Sequence, residues 1–194
     1  TATVVVSATP SATASATHTA SPSATATSTA TRTSTASPTP TSPFVGDDFN
    51  RADSTALGAN WLERSGDFAI VGQTLRNAGV GEDLVATYTG VYTNVTTSTH
   101  LQIMGGSGTV GLGARLGGFS GGVPRTGYLA ELQSTGTVVL WRISDWHILG
   151  STYTIPGYTP GQTVILTLRA NGSNLSVDVN GTQRIAATDT TVSN

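Results

Sequence analysis

The feature that most limits this chain is its beginning, because up to Pro43 it is written almost entirely in Thr, Ser, Ala and Pro. From Ser7 to Pro43 it reads SATPSATASATHTASPSATATSTATRTSTASPTPTSP, with no apolar period that could bury a face. Such a segment removes too little apolar surface from water to offset the entropy of ordering. Dense Ser and Thr with interspersed Pro is the composition of an O-glycosylated stalk, so residues 11–43 are read as a possibly glycosylated linker. A folded core is therefore confined to residues 44–194, long enough for one domain. Thr1 is not a natural start, so the chain is expected to be a mature or excised piece of something longer.

Residues 1–10, TATVVVSATP, differ from the linker they lead into. Val4, Val5 and Val6 are β-branched and strand-prone, and a run of this kind wants a sheet to join.

Composition removes several classes of function. The formal net charge is −2 and the nine basic residues, all Arg, are not clustered, which excludes nucleic acid and anionic lipid surfaces as partners. Without Cys there is neither a disulfide framework nor a thiolate metal site. No apolar run is long enough for membrane insertion as a helix.

Beyond Phe44 the apolar residues alternate in short runs bounded by turns, the pattern of an all-β antiparallel sandwich. Val110, Leu112, Ala114 and Leu116 form one such run, with Arg115 expected on the face away from the core. Val164, Leu166 and Leu168 form a second, and Leu175, Val177 and Val179 a third. Asn171-Gly172 and Asn180-Gly181 fall where hairpins should turn. Thr137 to Ile143 is apolar on both faces, as in a central strand. The GGSG and GGFSGG stretches between Gly105 and Gly122 are read as loops.

The segment Asp47 to Asn77, DDFNRADSTALGANWLERSGDFAIVGQTLRN, resembles the opening of concanavalin A-like (laminin G-like, jelly-roll) domains of bacterial secreted proteins. The resemblance rests on Asp48 and Phe49, then Leu57, Gly58 and Trp61, then Ser65, Gly66, Phe68 and Ile70, followed by Gly72 and Leu75. GYLAELQSTGTVVLWRI and TVILTLRANGSNLSVDVNGT resemble later strands of the same family, carrying the likeness to about Ala187. Such domains end in a further strand that lies beside the opening one, and the text to Asn194 contains none. The sandwich of residues 44–194 is thus expected to lack its closing strand and to expose an edge.

The leading functional expectation follows from that gap. Val4, Val5 and Val6 would supply the missing strand, to their own domain or to another copy. The chain would then be a non-catalytic structural unit of an extracellular fibre or cell-surface appendage, its partners being copies of itself. The alternative is a carbohydrate-binding, lectin-like module of a secreted protein, since the resemblance also implies glycan partners. Its candidate contacts are Trp146, His147, Trp141 and Tyr128 for stacking, and Arg115, Glu131 and Arg142 for hydrogen bonding. Trp146, in Ser144-Asp145-Trp146-His147, is the strongest, because an exposed indole there needs a reason.

An enzyme is not expected. Glycoside hydrolysis needs two facing carboxylates, yet Glu131 is isolated and Glu82-Asp83 sits in a GVGED stretch. His18, His100 and His147 are scattered, and no Gly-x-Ser-x-Gly elbow occurs. No cofactor is called for beyond a calcium ion that the resemblance allows at Asp47 or Asp48.

Overall fold

A computed structural model describes residues 4–7, 44–78, 85–90 and 92–192. The linker 11–43, His18, Glu82 and Asp83 lie outside the described residues. The strands, in order, are β1 Val4–Ser7, β2 Phe44–Asp47, β3 Trp61–Ser65, β4 Phe68–Ile70, β5 Leu75–Asn77, β6 Val85–Tyr88, β7 Val95–Leu101 and β8 Thr109–Gly117. They continue as β9 Thr126–Gln133, β10 Thr137–Arg142, β11 His147–Ile148, β12 Tyr153–Thr154, β13 Val164–Asn171, β14 Asn174–Val179 and β15 Thr182–Thr188. The fold is all-β and antiparallel, and among the described residues no helix is long and apolar enough to cross a membrane.

Two sheets form the sandwich. One is six-stranded in the order β15-β14-β13-β7-β1-β2; the other runs β11-β10-β9-β8, with β12 also paired to β10. Their inner faces meet in one apolar cluster. Leu112, Tyr128, Ala130, Leu132, Val138 and Leu140 from the second sheet pack with Val164, Leu166, Leu168, Val177 and Ile185 from the first. The alternation in β13 and β14 follows from this packing, since each even step along the strand returns a side chain to the core. At the second Asn-Gly pair, Asn180 (φ 50°) and Gly181 (φ 78°) are both left-handed, which closes a two-residue hairpin between β14 and β15. As expected of a strand apolar on both faces, β10 is interior, flanked by β9 on one edge and by β11 and β12 on the other.

The N-terminal segment pairs inside its own chain. β1 runs antiparallel to β2, from Val4↔Asp47 to Ser7↔Phe44, and on its other side to β7, from Val5↔Ser98 to Ser7↔Thr96. Val5 and Val6 are thereby paired on both sides and Val4 on the β2 side, beside the opening strand. Of the two destinations expected for these residues, their own domain and another copy, the pairing is with their own domain.

A second correction concerns β8. Its pairing with β9 shifts register between Ala114 and Gly117, where Arg115 adopts φ 53°. This bulge inserts a residue and reverses the alternation beyond it. Arg115, expected away from the core, lies with its guanidinium 5.9 Å from the ring centre of the buried Tyr128. Leu116, expected inside, instead lies over Gly113, 2.5 Å from where a Cβ there would sit. The bulge depends on Gly127 (φ 124°), because a Cβ at that position would lie 2.8 Å from the Arg115 carbonyl oxygen.

The segment bearing the family resemblance forms its own small core of Phe49, Leu57 and Ile70, against which Trp61, Phe68 and Leu75 pack. Asp47 fastens it. Its carboxylate accepts from Arg51 Nη1 at 2.7 Å and Nη2 at 3.1 Å, from Trp61 Nε1 at 2.9 Å and from the Phe49 amide at 2.8 Å.

Candidate functional site

Among the described Trp, Tyr and Phe residues, the one that is exposed sits in the β10–β11 turn. Arg142 pairs with His147, so Ile143, Ser144, Asp145 and Trp146 make a four-residue loop, in which the Trp146 amide donates to the Ile143 carbonyl. Trp146 occupies the left-handed position of the loop, with φ 51°. That position favours Gly or Asn, since a Cβ in the left-handed region costs about 1–2 kcal/mol. Despite this, the indole is 53% exposed. Trp141, half-buried on the face of β10 that alternates away from the core, backs it edge-on, with ring centres 6.1 Å apart at 76°. Ile148, opposite Trp141 in the β10–β11 pair, is 41% exposed and extends the apolar surface.

Beneath this surface the turn is held by charge. Arg142 donates through Nε to Asp145 Oδ1 at 2.8 Å and through Nη2 to Asp145 Oδ2 at 2.6 Å, a bidentate pair. Its Nη1 donates to Asp189 Oδ2 and, at 3.1 Å, to Thr191 Oγ1. Asp189 is buried just past β15, where its Oδ1 accepts from Tyr128 Oη at 3.0 Å and from the Thr191 amide at 2.7 Å. One carboxylate thus joins the last strand of the six-stranded sheet to β9 and β10 of the other. The hydrogen bonds from Arg142 hold Asp145 down at about 2 and, with those of Asp189, raise Arg142. Burial pushes Asp189 up, but the hydrogen bonds from Thr191, Arg142 and Tyr128 outweigh it, and its carboxyl lies below the usual carboxylate range.

The residues singled out in the sequence separate into two groups. Trp141, Trp146 and the exposed His147 gather at the turn, and Glu131 lies on the same face of the second sheet as Trp141, accepting from Gln133 Nε2 at 3.0 Å. Tyr128 is fully buried and its ring faces the core, so it offers no stacking surface. Arg142 is committed to two carboxylates, and Arg115 lies beside Tyr128 and donates through Nε to the Thr93 carbonyl at 3.2 Å. Sequence reasoning did not find Asp189 or Ile148. Nothing in Thr188-Asp189-Thr190 marks an Asp that must be buried, and Ile148 reads as an ordinary strand residue.

At the proposed cation position, Asp47 already faces the Arg51 guanidinium, and Asp48 accepts from the Asn50 amide at 3.0 Å. No group of three or more acidic or His side chains among the described residues is placed to hold a metal ion.

No protein-family model matches the chain, and no curated protein matches it. Among solved structures, the carbohydrate-binding module CBM66 from Bacillus subtilis superimposes with a TM-score of 0.59, covering 69% of this chain and 82% of that one at 18% identity. At that identity the likeness shows a shared β-sandwich fold, consistent with the concanavalin A-like expectation.

Proposed function

We propose that this chain is a non-catalytic carbohydrate-binding module of a secreted protein, carried outside the cell on an O-glycosylated Ser/Thr linker. The observation that carries the reading is Trp146, a large aromatic side chain kept half in solvent at a backbone position that disfavours it. A folded protein retains local strain and exposed apolar area chiefly where they serve recognition. The indole face stacks on the C–H face of a sugar ring, Trp141 fixes its orientation, and His147 and the outer edge of the Asp145 carboxylate hydrogen-bond to hydroxyls. The fold shared with a module described as carbohydrate-binding supports the reading. Assembly into a fibre has no comparable support, since β1 is paired within its own chain.

The test is a saccharide array probed with the whole chain and with Trp146→Ala. The reading expects binding to at least one glycan class, lost in the variant while its thermal unfolding stays cooperative. Absence of binding by the wild-type chain across neutral and acidic glycans would overturn it.

A further inference from the structure

The outer face of the six-stranded sheet carries a groove of about 620 Å³ over β13, β14 and β15. Its polar lining residues on β13 and β14 alternate with Leu168, Ala170 and Val177, whose side chains fill the core, and Leu175 and Ala187 form part of its floor, so it opens away from the second sheet that bears Trp141. The depression comes from small residues, because Ser176 on β14 lies opposite Ala186 on β15. Arg169, Asn171, Asn174 and Gln183 rise around them.

We propose that this groove is a second saccharide site, binding a neutral polysaccharide chain edge-on, and that the module bridges two chains, one on each face. The inference rests on the carbohydrate-binding reading and extends it to a surface without aromatics. Three amides and the hydroxyls of Ser176 and Thr188 both donate and accept hydrogen bonds, as sugar hydroxyls do. Arg169, half-exposed, donates through Nη2 to Asp178 Oδ2 at 2.8 Å. That pair cancels the charge and holds the guanidinium in place, so its remaining donors face the groove without selecting an anion. With no ring to stack on, the groove alone binds weakly. Its effect comes from joining a second chain to one already held at Trp146, where avidity multiplies the two affinities.

The experiment is a titration of the whole ¹⁵N-labelled chain with soluble neutral oligosaccharides of glucose, mannose, galactose, xylose and fructose. The side-chain amides of Asn171, Asn174 and Gln183 report the groove, and the Trp146 indole N–H reports the turn. Both sets should shift. Trp146→Ala should leave the amide shifts in place, and Ala186→Arg, which fills the groove from an exposed position, should abolish them while the indole still shifts. Precipitation of the parent polysaccharide by the wild-type chain should require at least ten-fold more of either variant. Silent amides beside a shifting indole would overturn the second site and leave the carbohydrate-binding reading standing. Shifting amides beside a silent indole would keep the groove and remove Trp146 as the platform. Silence of both would overturn the two together.

Discussion

Replacing Trp146 by Asn separates recognition from folding more cleanly than truncation to Ala does. Asn accepts the left-handed conformation that Trp146 holds at φ 51°, so the substitution relieves strain. The relief is about 1–2 kcal/mol, against the loss of an edge-on Trp141 contact worth about 0.5–1.5 kcal/mol. Stability should therefore change by no more than ~1.5 kcal/mol, read by urea unfolding through the fluorescence of Trp61 and Trp141. Binding should change far more. A Trp side chain offers up to about 250 Å², and with 53% of Trp146 exposed about 130 Å² is open to a ligand. One sugar ring covers about half of that, and at ~25 cal/mol per Å² the loss is ~1.6 kcal/mol, about fifteen-fold in Kd. Calorimetry with whichever glycan the array identifies supplies the comparison. Affinity retained within two-fold would refute the platform, and a stability loss above about 2 kcal/mol would show the indole to be structural.

Four further outcomes follow from the same geometry. Asp189→Asn should cost about 1–2 kcal/mol in urea unfolding, because the buried Tyr128 hydroxyl and the Thr191 amide lose a charged acceptor while Arg142 keeps its pair with Asp145; a change below about 0.5 kcal/mol would mean that the joint is solvated. Gly127→Ala should destabilise by at least about 2 kcal/mol, since the new methyl meets the Arg115 carbonyl oxygen at a positive φ, and an unchanged midpoint would show that the bulge relaxes. The carboxyls of Asp145 and Asp189 are depressed in the folded state, so their contribution is present above the unfolded value of 3.8 and is lost as pH falls below it, for Asp145 through about 2. Acid titration should accordingly perturb Trp fluorescence below about pH 4 in the wild-type chain, and Asp145→Asn with Asp189→Asn should flatten that step. A chain starting at Ser11 lacks β1 and leaves β2 and β7 with unpaired edges, so it should unfold at lower temperature; the appearance of smaller particles from a larger wild-type assembly would instead restore the exchange of strands between copies.

Strand content was legible because it is set locally. Val164 to Leu168 and Leu175 to Val179 alternate strictly, and only one register puts all their branched side chains inside. The same logic misplaced Arg115 and Leu116, for a specific reason. A bulge changes the parity of every residue after it, and the glycine that permits this one, Gly127, lies on the neighbouring strand, twelve positions from Arg115. The partner of Val4–Ser7 was equally out of reach. Strand propensity states that a segment wants a sheet, while the choice between its own sheet and another depends on which edges remain open after the rest has folded.

The site was half legible, and the dividing line is the face each residue takes. Trp141 and Trp146, each named as a candidate contact, meet because they are five positions apart across a short turn. Tyr128 and Arg142 read as equally good contacts, but both share the inward parity of Leu140, and Asp189, sixty-one positions beyond Tyr128, draws them into a joint between the sheets. What marks Trp146 apart is a conflict visible only with the backbone known. The loop between Arg142 and His147 requires a left-handed residue, and the sequence supplies the largest side chain where the turn favours Gly or Asn. Local propensity and the observed conformation disagree there, while the Arg142–Asp145 and Arg142–Asp189 pairs hold the turn that imposes the disagreement. Phe49 shares the left-handed conformation at φ 53° but is fully buried, so it is strain combined with exposure that sets the indole of Trp146 apart from the other aromatic groups of the described residues.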